Sequence, residues 1–408
     1  MGRRSKQEIE QNLEQVEEAQ FEQEFTLADL EGIGEKKLAK LEALGITTPY
    51  HLAMASAQEL AEQIDIDFET VSKMIEKARS MLESKNVVEK SILSGRELLD
   101  FRKGHVQRLT TGIPQLDKIL GGGYESGVMT ELFGQFGTFK TQFCTQAAIY
   151  AQFPKEACCL RCGQKDKLDT ERCTLSKVSG EGNCNGGIWR GGGLSEYGNP
   201  CKVIYMDTEN SFRPERFLQM LYETGAVLTK EQSKTEEKMG LPKEPLNEEE
   251  YERALKYLDN VIVFKVINSG HQVMLSRDIP KIIDQTGKKV KLVIVDSIIS
   301  QFRKDFGGRG ELSQRQLFLA KFIRLVSRAV ELYNCVCIIT NQVMQSPGAF
   351  GDPTKPVGGL FLGHTSKQRL YLQPKGKDKI TAILVDSADQ AKNEVVLTCT
   401  IKGIELSE

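Results

Sequence analysis

The segment Gly134-Gln135-Phe136-Gly137-Thr138-Phe139-Lys140-Thr141 constrains this chain more than any other. It is one residue away from the phosphate-cradling pattern G-x-x-x-x-G-K-[ST]. Phe139 stands where the second glycine belongs. The strand-like run Val128 to Phe133 leads in, and Gln142 to Gln152 predicts a helix leading out. Strand, tight turn and helix suit an anion site, because backbone N–H groups and the positive end of the helix dipole converge there. Lys140 is expected to reach the terminal phosphates of a nucleotide and Thr141 to ligate Mg²⁺, with Gln142 completing the loop. A glycine at 139 would take positive φ freely, whereas an aromatic residue there is strained. Either the loop adjusts to Phe139, or nucleotide binding is weakened or lost.

Apolar, β-rich runs recur downstream at Val203–Tyr205, Val261–Val266, Leu292–Val295, Val336–Thr340 and Leu370–Leu372, mostly separated by helical stretches. Such an alternation predicts an α/β core on a mostly parallel sheet, with Ile380–Val385 and Val395–Ile401 as later antiparallel strands. Two of the runs end in acids. Leu292-Val293-Ile294-Val295-Asp296 places Asp296 at a strand tip, where it would hold magnesium beside Thr141. Val203-Ile204-Tyr205-Met206-Asp207-Thr208-Glu209 places Glu209 where it could activate a water, or simply cap a helix. Ile338-Ile339-Thr340-Asn341-Gln342 ends in amides that both donate and accept. Gln342 could sense a terminal phosphate, although a neutral structural role fits equally well.

The chain has 408 residues, 40% hydrophobic and 27% charged, with a net charge of −2. A nucleic-acid partner is therefore not implied globally and would need a local basic patch. No run approaches membrane-spanning length, so no membrane role is expected. Residues 1–21 predict a polar, disordered tail. Residues 22–83 predict an all-helical module, 84–108 a charged connector and 109–408 the α/β core. That core is interrupted by a Cys- and Gly-rich insertion at 155–200 and a charged surface loop at 230–250. Within the helical module, Gly32-Ile33-Gly34 forms a tight turn before a basic helix. It is similar to a helix-hairpin-helix DNA contact, with a plain helical turn as the alternative.

Ten cysteines are unevenly spread. Cys159-Leu160-Arg161-Cys162-Gly163 is a C-x₂-C knuckle, and Cys173 and Cys184 follow. Four thiolates on a core-poor insertion suit structural Zn²⁺, with no open position for catalysis. Cys158 and Cys201 compete for membership, and free thiols are the alternative. This usage points to a reducing, intracellular setting. Two Gly-rich segments follow strand tips, Gln301–Gly310 and Gln345–Gly363. Arg303, Lys304, Arg309 and Lys355 give them positive charge, and Gly358 and Gly359 would let the backbone approach a phosphate chain. They read equally as ordinary active-site loops.

Assembled, these segments resemble the archaeal RadA-type recombinases of the RecA superfamily. The resemblance rests on Thr110-Thr111-Gly112 with Leu116-Asp117, Asp207-Thr208-Glu209-Asn210-Ser211-Phe212-Arg213-Pro214-Glu215-Arg216, Gly308-Arg309-Gly310 with Arg315-Gln316, Thr340-Asn341-Gln342-Val343, and Gly351-Asp352-Pro353-Thr354 with Gly358-Gly359. It covers roughly 22–83 and 104–404 outside the two insertions. It implies a RecA-like ATPase core behind a small helix-hairpin-helix domain, using ATP, Mg²⁺ and, in the insertion, Zn²⁺. It further implies a DNA-dependent ATPase that assembles as a filament on single-stranded DNA and exchanges strands with a duplex during recombinational repair. On this reading the protein is intracellular, in the cytoplasm or nucleoid of an archaeon. Lys140, Glu209 and Gln342 would then be catalytic, Arg216 would face the nucleotide, and Arg309 would belong to a DNA loop. Gln316 would join Gln342 in communication between nucleotide and DNA. Three departures stand out: Phe139, Ile92-Leu93-Ser94-Gly95 in place of a Phe-x-x-Ala subunit anchor, and Asp386-Ser387-Ala388-Asp389-Gln390 without the usual proline. With the cysteine insertion, they support an alternative: a weakly hydrolytic or non-hydrolytic paralogue that binds other recombinase subunits and regulates their filament, or a ring rather than a filament.

Overall fold

The computed structural model describes residues 26–165, 173, 184–233, 236, 241–345 and 354–407. The expected tail at 1–21, much of the cysteine insertion, and residues 346–353 of the second Gly-rich loop lie outside the described residues. The chain divides into two compact units, 1–98 and 99–408.

The first unit is helical, with helices Glu35–Ala43, Pro49–Met54, Ala57–Ile64 and Phe68–Ser84. Leu27, Leu41, Leu52, Leu60, Ile64 and Val71 bury against one another as its core. Local chemistry sets the helix starts. Thr48 accepts from the His51 N–H (3.3 Å) ahead of Pro49, and Asp67 accepts from the Thr70 N–H (2.8 Å); both satisfy N–H groups that a helix leaves unpaired. Gly32 sits at φ +92°, where a side chain would be strained, and Gly34 caps the helix Glu35–Ala43.

The connector contains a helix, Gly95–His105, where only a charged linker was expected. Its start is a capping box: the Glu97 N–H donates to Ser94 Oγ (3.2 Å) and the Ser94 N–H to Glu97 Oε2 (2.8 Å). The Ser-x-x-Glu spacing makes this helix legible, though the charge of the segment hid it.

The second unit is built on strands β1 (Arg108–Leu109), β2 (Tyr124–Glu125), β3 (Met129–Gly134), β4 (Cys158–Cys159), β5 (Ile188–Trp189), β6 (Lys202–Asp207), β7 (Val261–Lys265), β8 (Val290–Asp296), β9 (Val336–Gln345), β10 (Thr354–Pro356), β11 (Ser366–Pro374), β12 (Lys379–Ser387), β13 (Asn393–Thr400) and β14 (Gly403–Leu406). The main sheet is ten-stranded and mixed, in the order β14-β13-β12-β11-β3-β9-β8-β6-β7, with β10 paired to β9. From β11 to β7 every pairing is parallel, whereas β12, β13 and β14 extend the sheet antiparallel. This is the RecA-like α/β architecture. The continuous Val/Ile/Leu runs follow from burial on both faces: Leu292, Val293, Ile294 and Val295 are all fully buried, as are Val336, Ile338 and Ile339. The helix Lys140–Tyr150 buries Phe143, Cys144, Ala147, Ala148 and Ile149, so it belongs to the core all round.

Register brings the polar ends together. Gly134 at the end of β3 lies opposite Gln342 of β9, and Asp207 of β6 lies opposite Asp296 of β8. The carboxyl ends of parallel strands are where open α/β sheets place their ligands.

Candidate functional site

The turn after β3 is tight and leads directly into the helix Lys140–Tyr150. Gly134 tolerates no side chain, since a Cβ would sit 2.4 Å from the Leu372 carbonyl oxygen. Gly137 has φ +79°. Phe139 has φ +62° and ψ 18°, the left-handed conformation a glycine would adopt. Phe139 therefore carries left-handed strain, which costs roughly 1–2 kcal/mol for an L-residue. The Phe139 ring is half-buried and packs against the core, which offsets part of that cost.

Lys140 closes the loop on itself. Its Nζ donates to the Gly134 carbonyl (3.0 Å), the Gln135 carbonyl (2.7 Å) and Thr138 Oγ1 (3.3 Å). Burial lowers its pKa, and Asp296 and Glu209 oppose that shift. Phe136, at the tip, is fully exposed.

Asp296 is the hub. Its Oδ2 accepts from Thr141 Oγ1 (2.7 Å), Tyr205 OH (2.9 Å) and Ser211 Oγ (3.2 Å), and its Oδ1 accepts from Thr340 Oγ1 (2.5 Å). Burial raises its pKa, the hydroxyls pull it back, and Glu209 adds to the rise. Thr141 and Asp296 thus offer a hydroxyl and a carboxylate side by side, a hard-oxygen set that suits Mg²⁺.

Glu209 is exposed at the strand tips, and its Oε1 accepts from Ser297 Oγ (2.6 Å) and Gln342 Nε2 (2.9 Å). Gln342 Oε1 in turn accepts from Arg303 Nη1 (2.9 Å). A hydrogen-bonded chain therefore runs from the carboxylate to a cation on the first Gly-rich segment. Asp207 shapes the turn instead: its carboxylate accepts from the N–H groups of Glu209 (3.2 Å), Ser211 (3.0 Å) and Phe212 (3.1 Å).

Arg216 hydrogen-bonds Gln142 Oε1 (2.8 Å) and the carbonyls of Thr400 (2.7 Å) and Ile401 (2.8 Å). It ties the helix Pro214–Thr224 to the β13–β14 hairpin and touches the loop only through Gln142. Beyond the undescribed residues of the second segment, the chain returns through exposed Lys355. Gly358 (φ +105°) and Gly359 (φ +68°) then turn it into the helix Gly359–Thr365. The Val357 N–H donates to the Gln342 carbonyl (3.0 Å), and Asn341 Nδ2 donates to the Val357 carbonyl and Glu131 Oε1 (both 2.7 Å). Gln316 lies beside Gly359. Ile92 is 92% exposed and Gly95 starts its helix, both in the first unit. Arg309 starts a short 3-10 turn, Arg309–Glu311.

Cys159, Cys162, Cys173 and Cys184 converge with all four sulfurs within 4.8 Å of one another. Cys159 and Cys184 are 3.6 Å apart, and Cys162 and Cys173 are 3.7 Å apart. Zn–S bonds of about 2.3 Å in a tetrahedron require S···S separations near 3.8 Å, so the four residues fit the ion. Cys158 points elsewhere in sequence alternation and is outside the cluster, and Cys201 Sγ donates to the Ala151 carbonyl (3.1 Å). The close approach of Gly186 is required, since a Cβ there would lie 2.8 Å from Cys159 Sγ.

Tyr205, Ser211, Ser297 and Thr340 are site residues that motif reading does not single out. Their sequence signal is a hydroxyl in or beside a polar strand tip. Which tips are neighbours depends on strand order. No helix among the described residues is long and apolar enough to cross a membrane.

Comparison with known proteins gives a family match. The Rad51 family model matches residues 102–175 and 249–407, leaving out 176–248. The chain is 34% identical over 385 residues to the DNA repair and recombination protein RadA of Cenarchaeum symbiosum, spanning 94% of this chain and 80% of that protein. It is 33% identical to RadA of Methanoculleus marisnigri and 31% identical to RadA of Haloquadratum walsbyi, in each case over 94% of this chain and 99% of the relative.

Proposed function

This chain belongs to the Rad51/RadA family, and from that premise we propose that it is a DNA-dependent ATPase that assembles on single-stranded DNA and promotes homologous pairing and strand exchange. The observation that carries this reading is the chain Glu209–Gln342–Arg303. It links a carboxylate that would take a proton from water with a cation that would meet a phosphate backbone.

Lys140 would exchange its loop carbonyls for the β- and γ-phosphates of ATP, at little net change in hydrogen bonds. Thr141 and Asp296 would hold Mg²⁺, which when bound neutralises charge on those phosphates. Glu209, already oriented by Ser297 and Gln342, accepts the proton of the attacking water. Gln342 can bond either the carboxylate or a phosphate oxygen. A switch between them would change its hold on Arg303, and so the grip of 301–310 on DNA. The Val357 N–H on its carbonyl carries the same displacement toward Lys355 and Gly358-Gly359. Ile92 and Gly95 would form the anchor that docks on a neighbouring subunit. Relative to a phenylalanine anchor, the smaller side chain weakens docking by very roughly 1–3 kcal/mol. Gly32 and Gly34 would present N–H groups to a DNA phosphate. The cysteine cluster would hold a structural zinc.

A second reading is favoured by one specific observation: the strained Phe139 beside a lysine already satisfied within its own loop. On that reading the chain binds recombinase filaments as a weakly hydrolytic regulator. Phosphate release measured with and without single-stranded DNA separates the two. DNA-stimulated turnover, abolished in Glu209→Gln, supports the ATPase. Absence of turnover at saturating ATP and DNA transfers the chain to the regulatory class.

A further inference from the structure

At the opposite end of the helix Lys140–Tyr150 from the nucleotide loop lies a cavity of about 230 Å³. Four pieces of chain build it: Gln152 and Pro154 just after that helix, the cysteine knuckle with Leu160 and Arg161, the end of the insertion with Tyr197, and the helix Glu248–Asp259 with Arg253, Lys256 and Tyr257. Tyr197 comes from the stretch that the Rad51 family model leaves out.

Both rings are held in place. Tyr197 lies against Gly163, where a Cβ would meet its ring at 2.7 Å, and its hydroxyl donates to the Arg161 carbonyl (2.5 Å). Tyr257 packs edge-on to Phe153, with centroids 5.9 Å apart at 89°. The aromatic wall therefore requires no ordering on binding. Burial raises the pKa of both phenols, that of Tyr257 to about 12, so neither adds negative charge.

The charges around the rings are unbalanced. Arg161 is committed to Glu250 by a hydrogen-bonded ion pair. Arg253 has no hydrogen-bond partner for its buried Nε, and Glu250 Oε2, 3.7 Å away, is already shared with the Leu228 N–H. Lys256 is exposed at the mouth. Glu196, also on the wall, is neutralised by Lys155 (3.2 Å). Arg253, held only by its long pairing to Glu250, and Lys256 thus line the cavity together with the two rings. An inorganic anion would leave the rings unused, and an apolar peptide would leave the cations unanswered. A base that stacks and a phosphate that pairs use both.

We propose that this cavity is a second nucleic-acid site that takes an unpaired nucleotide of single-stranded DNA, its base against Tyr197 and Tyr257 and its phosphate on Arg253 and Lys256. The half-exposed Tyr197 and exposed Lys256 leave the cavity open for a strand to enter and leave, which a free nucleotide would not need. None of the residues lining the cavity belongs to 301–310 or to the described residues 354–363.

Photocrosslinking of the full-length protein to an oligothymidylate strand carrying 5-iodouracil, followed by peptide mapping, tests this. Adducts on Tyr197 or Tyr257 are expected, falling about tenfold in the double variant Arg253→Gln/Lys256→Glu while adducts within 301–310 persist. Should the double variant not fold, Lys256→Glu alone, at an exposed position, reads the same loss. Adducts confined to 301–310 and 346–363, or cavity labelling indifferent to both variants, overturn the proposal. Equal labelling by 5-iododeoxyuridine monophosphate alone overturns the assignment to a strand. A cavity adduct without loop adducts would instead count against the proposed function and leave this site standing.

Discussion

One helix, Lys140–Tyr150, connects two very different pieces of chemistry. Its 11 residues span about 16 Å, with the phosphate-type loop at the start and the cysteine knuckle soon after the end. The loop satisfies itself: Lys140 bonds its own carbonyls, Asp296 collects four hydroxyls, and Phe139 packs on the core. The knuckle does not. Among the described residues its four sulfurs face one another with only Ile188 packed beside them, and on the zinc reading proposed above an ion supplies the cohesion. The first region can store strain because a buried sheet surrounds it. The second, on the proposed reading, depends on a ligand.

The largest test of that contrast is loss of the metal. Cys162→Ser with Cys184→Ser should reduce zinc from one equivalent to none by mass spectrometry. It should also open the insertion to proteolysis, because binding in zinc modules is worth about 10–16 kcal/mol. ATP affinity should stay within roughly twofold if the two ends are independent; a parallel collapse of both would break the comparison. Next is Glu209→Gln, expected to slow turnover by about 10²–10⁴-fold with nucleotide affinity retained. Lys140→Ala should weaken ATP binding by roughly 100-fold, from lost charge-assisted hydrogen bonds of about 1.5–3 kcal/mol, with zinc content unchanged. Arg303→Ala should leave basal turnover within a few-fold and remove its stimulation by DNA, as read from phosphate release against oligonucleotide concentration. The smallest effect belongs to Phe139→Gly. Relief of about 1–2 kcal/mol of left-handed strain is set against lost ring burial and added chain entropy. Melting temperature should barely move, while ATP affinity rises about tenfold; an unchanged affinity would show that the ring never hindered the nucleotide.

Much of this was legible in the sequence. Continuous apolar runs marked β6, β7, β8, β9 and β11 because a largely buried strand leaves little polar alternation to obscure them. The acids Asp296 and Glu209 stood out because a polar group at the end of such a run has left the core. The helix Gly95–His105 was missed despite its Ser94–Glu97 box, since a charged segment with no buried residues lacks the apolar period by which helices are read. The C-x₂-C spacing named Cys159 and Cys162 with Cys173 and Cys184, and the fold brings those four together while leaving the competitors Cys158 and Cys201 outside.

The sequence by itself determined which residue types exist at which spacing: a lysine and threonine after a glycine-led turn, acids after apolar strands, four cysteines on a core-poor insertion. Tertiary structure decided who meets whom. Strand order set Gln342 beside Glu209, with Arg303 next in the chain. Ring packing let Phe139 stay in a glycine's conformation. Docking of the knuckle on the helix Glu248–Asp259 created a basic aromatic cavity from segments about ninety residues apart. Spacing along a chain is fixed by covalent geometry, whereas adjacency between strands is fixed only when their buried faces pack.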